Sequence, residues 1–356
     1  MVASGAAPGA VLGVSLAGEH HYFGTGRLGT DDPTRPDSAT VYDLASLTKV
    51  VGLTTMVMLA VDRGQLDVDA PVARYVPAFA ADSSQPERRG VTLRHLLTHS
   101  SGLPAWRPLY QETATRAEAL ALADTTRLVA MPGEKYTYSD LGAIILTQAV
   151  ERTLGKRIDT LLAERVFGPL GMRETRYLPP ESWRPRIAPT ENDPWRGRVL
   201  RGEVHDENAA RLGGVSGHAG LFSSARDLLR FADWLLAGTA GRAGNCLAPP
   251  ASSALPALPA VTEFARRQDL PPGSSRALGW DTSTPGGSGG SRLSPTSFGH
   301  TGFTGTSIWI DPDRCLAIVL LSNRVHPTRD NPRWGPVRGE VADQVVGALA
   351  ADSLTH

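Results

Sequence analysis

The segment YDLASLTKVVGLTTMVMLAVDRG, residues 42–64, decides how this chain is interpreted. From Tyr42 to Arg63 its pattern predicts one helix whose apolar residues lie on nearly all sides, which is typical of a helix buried inside a protein. Gly64 follows as a C-terminal stop. Ser46-Leu47-Thr48-Lys49 lies at the first turn of this helix, so a hydroxyl and an amine stand at the mouth of a buried element.

The spacing of Ser46 and Lys49 suits nucleophilic chemistry. Residues i and i+3 share one helix face, so the Lys49 amine can approach the Ser46 hydroxyl. The positive end of the helix dipole favours the anion that forms as the serine attacks. Burial lowers the pKa of a lysine and makes its neutral amine accessible as a proton acceptor. The sequence therefore predicts a Ser/Lys nucleophile, although an SxxK match alone is a weak signal.

Composition excludes several classes of protein. The 356 residues are 41% hydrophobic and carry equal numbers of basic and acidic side chains, 36 of each, which predicts a globular chain of one large or two interlocked domains. A net charge of zero predicts no nucleic-acid partner and no attraction to an anionic membrane. The sequence contains no run of 18 apolar residues, so we expect no membrane span. Residues 1–9 lack the basic start of a signal peptide, and the compartment and oligomeric state stay open.

Strands are predicted near both ends of the chain and helices between them. The end segments read as a hairpin, three later strands and a closing amphipathic helix. The predicted strands are 10–17, 20–23, 297–303, 306–311 and 315–322, and the predicted helices are 92–98, 116–123, 141–154, 158–166, 224–236 and 336–352. Two tracts, 248–259 and 285–297, read as loops. We expect an α/β fold of the α+β kind: a sheet lobe from residues 1–80 and 275–356, a mainly helical lobe from 81–274, and a ligand cleft between them.

Two further motifs complete a recognisable set. Tyr138-Ser139-Asp140 follows a Pro-Gly turn and precedes a helix, and His300-Thr301-Gly302 lies on a strand that leads into Phe303. With Ser46–Lys49 these motifs stand in the order SxxK, Tyr-x-Asn, Lys/His-Thr-Gly. The chain resembles the serine β-lactamase and penicillin-binding protein family, on the branch of class C β-lactamases, DD-peptidases and esterases. The resemblance extends over residues 8–352 and implies an antiparallel sheet from both termini, flanked by helices, with an inserted helical lobe.

The resemblance also implies roles for individual residues. Ser46 is acylated, Lys49 and Tyr138 exchange its proton, and Tyr138 protonates the leaving group. The backbone N–H groups of Ser46 and Phe303 form the oxyanion hole. Asp140, His300, Thr301 and Gly302 bind substrate, with His300 and Thr301 facing its carboxylate or polar tail. No metal and no cofactor are expected, and the partner is a small-molecule or peptidoglycan-type substrate.

Two positions depart from the usual pattern of the family. Asp140 replaces an asparagine, so it accepts hydrogen bonds but cannot donate them when ionised. A carboxylate near Lys49 would raise the pKa of the lysine and favour Tyr138 as the base. His300 replaces a lysine and attracts a carboxylate less when it is neutral. Hydrolysis of a β-lactam or D-alanyl amide, hydrolysis of small esters, and a catalytically silent binding or sensor module therefore remain as alternatives.

Overall fold

The structure is a computed structural model that describes residues 1–239, 247, 255 and 260–352. Its main sheet has six strands, all antiparallel, in the order β2-β1-β11-β10-β9-β8. These strands are β1 (Gly9–Leu16), β2 (Glu19–Gly26), β8 (Asp281–Thr282), β9 (Phe298–Gly302), β10 (Thr306–Asp311) and β11 (Leu316–Ser322). The N-terminal hairpin thus pairs with the C-terminal strands, and the predicted sheet built from both chain ends is confirmed.

Five shorter strands form two smaller sheets between the chain ends. A three-stranded sheet has the order β3-β7-β4, and β5 pairs with β6. The strands are β3 (Val41–Asp43), β4 (Arg176–Tyr177), β5 (Asn192–Asp193), β6 (Arg198–Val199) and β7 (Leu221–Ser224). Because β3 ends three residues before Ser46, its pairing with β7 fixes where the candidate nucleophile begins its turn.

The helices cover the sheet and fill the middle of the described chain. They are α1 (Thr55–Asp62), α2 (Leu93–Leu97), α3 (Leu109–Glu112), α4 (Arg116–Thr125), α5 (Asp140–Leu154), α6 (Ile158–Leu162), α7 (Glu207–Arg211), α8 (Ala225–Gly238), α9 (Ala260–Ala265) and α10 (Val337–Asp352). Helix α8 begins with the Ser224 hydroxyl accepting from the Asp227 N–H, as its sequence predicts, and packs on β1 and β11. None of the helices in the described part of the chain is long and apolar enough to cross a membrane.

The predicted start of the buried helix at Tyr42 is wrong. Val41–Asp43 forms strand β3, and Ala45 has a φ of 47°, which no right-handed helix contains. A π-helical segment, Lys49–Thr54, follows and continues as α1. The apolar run includes both a buried strand and a buried helix, and hydrophobicity alone does not distinguish them. The prediction of burial holds, since all six residues of the π-helical segment are buried.

Two predictions are not decided by this architecture. The proposed division at residues 80 and 275 stays a prediction. The predicted loop at 248–259 lies outside the described residues except for position 255.

Candidate active site

Ser46 is placed by a tight turn between β3 and the buried helix. The buried Asp43 carboxylate accepts the N–H of Ala45 at 2.8 Å and the N–H of His205 at 2.7 Å. These bonds hold Ala45 at its positive φ, a conformation that costs a non-glycine residue energy and that clusters at functional sites. The turn therefore presents Ser46 at the start of the helix in a fixed direction.

Gly302 brings the third motif against this turn. A Cβ atom at position 302 would lie 2.4 Å from the Leu44 carbonyl oxygen and 2.1 Å from Thr306 Oγ1. The Thr306 hydroxyl donates to the same Leu44 carbonyl at 3.0 Å. Only glycine allows β9 to approach the Ser46 turn this closely, so the glycine of His-Thr-Gly has a packing reason here.

Lys49 is buried and has three oxygen neighbours. Its Nζ donates to Ser46 Oγ at 3.1 Å and to the His218 carbonyl at 3.2 Å, and it lies 2.6 Å from Asp140 Oδ1. Burial acts to lower the pKa of Lys49, but Asp140 and then Tyr138 outweigh it, so the pKa is raised above its ordinary value. The condition stated from the sequence is therefore met: Asp140 lies beside Lys49 and favours its ammonium form.

Tyr138 lies between the lysine and the third motif. The Lys49 ammonium is 4.8 Å from the centroid of its ring, and the ring of His300 is 6.0 Å away. His99, at a φ of 56°, packs its ring 4.5 Å from that of Tyr138 and accepts the Ser139 N–H at its Nδ1. Burial lowers the pKa of His99 well below its ordinary value, so a neutral imidazole supports the phenol.

His300 is buried with one ring nitrogen lacking a partner. Its Nδ1 lies 2.8 Å from the Thr301 carbonyl oxygen, so this nitrogen carries the proton. Burial, followed by the nearby Arg276 and Lys49, lowers the pKa of His300 well below its ordinary value. Its Nε2 is therefore a lone-pair acceptor, and within the described residues no donor contacts it. An imidazole in this state does not attract a carboxylate by charge.

The predicted site residues meet around one cavity of about 340 Å³. Ser46, Tyr138, His300, Thr301, Gly302 and Phe303 line it, and Lys49 and Asp140 lie behind Ser46. We call Ser46, Lys49, Tyr138 and Asp140 the serine cluster. In residues 1–239 and 260–352, neither the Ser46 N–H nor the Phe303 N–H donates a hydrogen bond to another protein group.

Five residues of this cavity are not among those predicted from the sequence, namely Asp281, Trp334 and three arginines. Arg276, Arg324 and Arg338 line it from three separate segments, and we call them the arginine group. Their guanidinium groups add three cations to the cavity wall, and that of Arg276 lies 5.6 Å from the centroid of the Tyr138 ring. None of the three lies in a motif, and 33 of the 36 basic residues are arginines, so no local pattern distinguishes them.

A buried polar chain supports the carbonyl that holds Lys49. The His218 ring contacts Ser216 Oγ at 2.7 Å and Asp206 Oδ1 at 2.8 Å. Burial acts against ionisation of Asp206, but the charge of His218 prevails and keeps the pKa of the carboxyl below its ordinary value. The sequence favours a structural role for both residues, and these contacts position the backbone next to Lys49.

No group of three or more His, Cys, Asp or Glu side chains in the described ranges is arranged to hold a metal ion. The polar groups of the cavity are two hydroxyls, a phenol, an imidazole, an indole and three guanidiniums, together with the Asp281 carboxylate. The arrangement brings an alcohol, an ammonium, a phenol and free backbone donors to one place, which is a set suited to acyl transfer.

Comparison with known proteins agrees with this geometry. A family model described as "Beta-lactamase" matches residues 1–343. The chain belongs to the Beta-lactamase family. It is a Beta-lactamase-family hydrolase, and the resemblance drawn from the three motifs is confirmed.

One curated relative and two solved structures illustrate the family. A protein of Escherichia coli (strain K12) named "Putative D-alanyl-D-alanine carboxypeptidase" is 32% identical over 359 residues, which cover 90% of this chain and 80% of the relative. A β-lactamase structure from Sulfitobacter sp. EE-36 has a TM-score of 0.72 at 21% identity and covers 97% of this chain and 95% of its own. "EstCE1, a hydrolase with promiscuous acyltransferase activity" has a TM-score of 0.70 at 20% identity, with 90% of both chains covered. The two structures share the fold of this chain.

Proposed function

We propose that the protein is a serine acyl hydrolase that forms an acyl-enzyme on Ser46, with a D-alanyl peptide or a β-lactam as substrate. The observation that carries the proposal is the 3.1 Å contact between the Lys49 ammonium and Ser46 Oγ at the edge of a cavity that Tyr138 also lines. The name of the Escherichia coli relative supports a D-alanyl peptide.

The contact between Lys49 and Asp140 supports Tyr138 as the base. Lys49 is already protonated through Asp140, so it donates to Ser46 Oγ and does not accept the proton of the serine. The Tyr138 oxygen is the remaining acceptor on this side, and the ammonium 4.8 Å from its ring favours negative charge there. Ser46 Oγ attacks the substrate carbonyl as Tyr138 takes the proton, and Tyr138 returns the proton to the leaving nitrogen as the acyl bond breaks.

The tetrahedral oxygen binds between two backbone donors. The Ser46 and Phe303 N–H groups have no protein acceptor among the described residues, and both residues border the cavity. Donors fixed before the reaction stabilise an oxyanion without the cost of reorienting. A water molecule then attacks the acyl-enzyme by the same route in reverse.

Small esters are the second candidate substrates, because Asp140 is an acceptor committed to Lys49. A carboxylate cannot donate to the acylamino carbonyl of a peptide or β-lactam, whereas an ester without that group needs no such donor. The leaving group of an ester also needs less help from a proton donor than the nitrogen of an amide.

A substrate panel tests the proposal. Wild type and Ser46→Ala are incubated with nitrocefin, an acetylated D-alanyl-D-alanine peptide and p-nitrophenyl acetate, and product release is followed for each. We expect wild type to turn over at least one substrate and Ser46→Ala to turn over none. Equal turnover by both proteins would overturn the role of Ser46, and no turnover by wild type would favour the silent binding module.

A further inference from the structure

Two members of the arginine group have no carboxylate partner in the described chain. Arg324 donates to the carbonyl oxygens of Phe303 and Arg329, at 2.7 and 3.2 Å. Arg338 donates to the carbonyl oxygens of Gly302 and Thr306. Backbone carbonyls orient these guanidinium groups but leave their charges uncompensated, because a carbonyl is neutral. Both side chains are partly buried beside the cavity.

In contrast, the neighbouring Arg329 has its charge compensated by carboxylates. Arg329 lies five residues after Arg324 and contacts two carboxylates, Glu191 at 2.6 Å and Glu207 at 2.7 Å. Its pKa is raised by those partners even though burial opposes it, whereas burial lowers the pKa of Arg324. The chain thus places two carboxylates in contact with Arg329, which does not line the cavity, whereas Arg324, which does, has only the more distant charge of Glu191 to oppose its burial.

Arg276 completes the group with one weak ion pair. Its Nη2 is 3.9 Å from Asp281 Oδ2, and the other oxygen of Asp281 accepts from the Ser275 hydroxyl at 2.9 Å. The Arg276 Nη1 is buried without a protein partner, on a side chain that is only 12% exposed. A buried donor left unpaired costs free energy, so this nitrogen is poised for an acceptor that a ligand supplies.

The charges around the cavity do not balance. Three guanidinium groups face one carboxylate, Asp281, while His300 is neutral and Lys49 is cancelled by Asp140. Burial and then Arg324 lower the pKa of Arg338 to about 10, so these two cations are close enough to repel one another. A single carboxylate on the leaving group would still leave a positive charge uncompensated in this partly enclosed space.

We propose that the cavity binds a leaving group with two carboxylates, the first at Arg276 and Thr301 and the second at Arg324 and Arg338. This inference rests on the proposed acyl transfer and names its substrate class: amides or esters whose departing part is a dicarboxylate. In the ester case the Ser46 Oγ–acyl bond forms, the acyl–oxygen bond breaks, and Tyr138 protonates the departing oxygen. The arginine group takes part through charge and hydrogen bonds alone.

Three aryl acetates with one acyl group test the preference: phenyl acetate, 3-acetoxybenzoate and 5-acetoxyisophthalate. Their leaving groups carry zero, one and two carboxylates on the same phenol. We expect kcat/KM to rise about tenfold with each carboxylate, the size of one charge-assisted hydrogen bond. Arg324→Met and Arg338→Met should each remove most of the gain between the second and third esters. Arg89→Met, an exposed arginine outside the cavity, serves as the matched control and should leave both ratios unchanged.

Calorimetric titration with the free phenols makes the same comparison without turnover. We expect 5-hydroxyisophthalate to bind wild type about tenfold more tightly than 3-hydroxybenzoate does. Each of the two variants should bind the two phenols with equal affinity. Equal binding of both phenols to wild type, or an undiminished preference in both folded variants, overturns the dicarboxylate inference. Failure of phenyl acetate hydrolysis with the binding preference intact would instead count against the acyl transfer. Melting temperatures of all variants show whether each is folded.

Discussion

The serine cluster and the arginine group border the same cavity and differ in how their charges are balanced. Lys49 lies 2.6 Å from Asp140, so the only cation of the serine cluster is neutralised inside the protein. The arginine group has three cations and shares one carboxylate at 3.9 Å. The Lys49–Asp140 pair holds a proton in a defined place before the substrate binds. The arginine group, in contrast, gains its missing carboxylate partners only from a ligand. Chemistry and recognition therefore depend on different residues, and changes to the two groups should give different kinetic signatures.

Ser46→Ala is expected to have the largest effect, because it should abolish turnover and leave ligand binding by the arginine group intact. Loss of the nucleophile should lower kcat/KM by about 10⁴-fold or more for every substrate. Calorimetry should still detect 5-hydroxyisophthalate, because the arginine group is untouched. Loss of binding together with turnover, at an unchanged melting temperature, would contradict the separation.

Tyr138→Phe is expected to lower kcat by about 10²- to 10³-fold, because it removes the proposed base and keeps the ring packed against His99. The KM should change little. Tyr75→Phe is the matched control, since Tyr75 does not line the cavity and its hydroxyl accepts the N–H of Asp67 at 3.0 Å. A loss of the same size in both variants would mean that the phenol of Tyr138 has no special role.

Asp140→Asn should leave Lys49 without its carboxylate partner. Without the carboxylate, burial prevails and the pKa of Lys49 falls. The raised pKa in the wild type keeps the ammonium present to high pH, so the alkaline limb of the kcat/KM profile should move to lower pH in the variant. The new amide can donate, so the peptide-to-ester rate ratio should rise about tenfold. An unchanged alkaline limb would show that Asp140 does not set the proton on Lys49.

Salt should give the smallest effect and act on the arginine group alone. Raising the ionic strength from about 0.05 M to about 0.5 M shortens the screening length and should lower kcat/KM for 5-acetoxyisophthalate about threefold. Phenyl acetate, which has no charge for the arginine group to attract, should be unaffected. Equal salt dependence of both esters would contradict a role for charge in recognition.

The serine cluster could be predicted because its motifs are short and ordered along the chain. Ser46 and Lys49 are three residues apart, and Tyr138 and Asp140 are two apart, so local spacing already fixes part of their geometry. The sheet followed from alternating and apolar strands at both ends. The sequence predicts the effect of Asp140 on Lys49 only if the two side chains are close, because their 2.6 Å contact depends on how α5 packs against the buried helix.

The rest could not be predicted, because it depends on tertiary packing. The apolar run from Tyr42 joins a strand to a helix, and only the pairing of β3 with β7 shows where one ends. Arg276 precedes β8, Arg324 follows β11 and Arg338 lies in α10, so only the tertiary arrangement of the sheet and this helix brings them together. In a chain with 33 arginines, uncompensated charge is visible only once the partners of each are known.

Acid-quenched intact mass spectrometry tests the central claim most directly. Wild type and Ser46→Ala are mixed with p-nitrophenyl acetate or benzylpenicillin, quenched at short times and digested for peptide mapping. The account predicts a covalent acyl group on wild type, located on the peptide that contains Ser46, and none on Ser46→Ala. An acyl group on another residue, or the same adduct on Ser46→Ala, would contradict it.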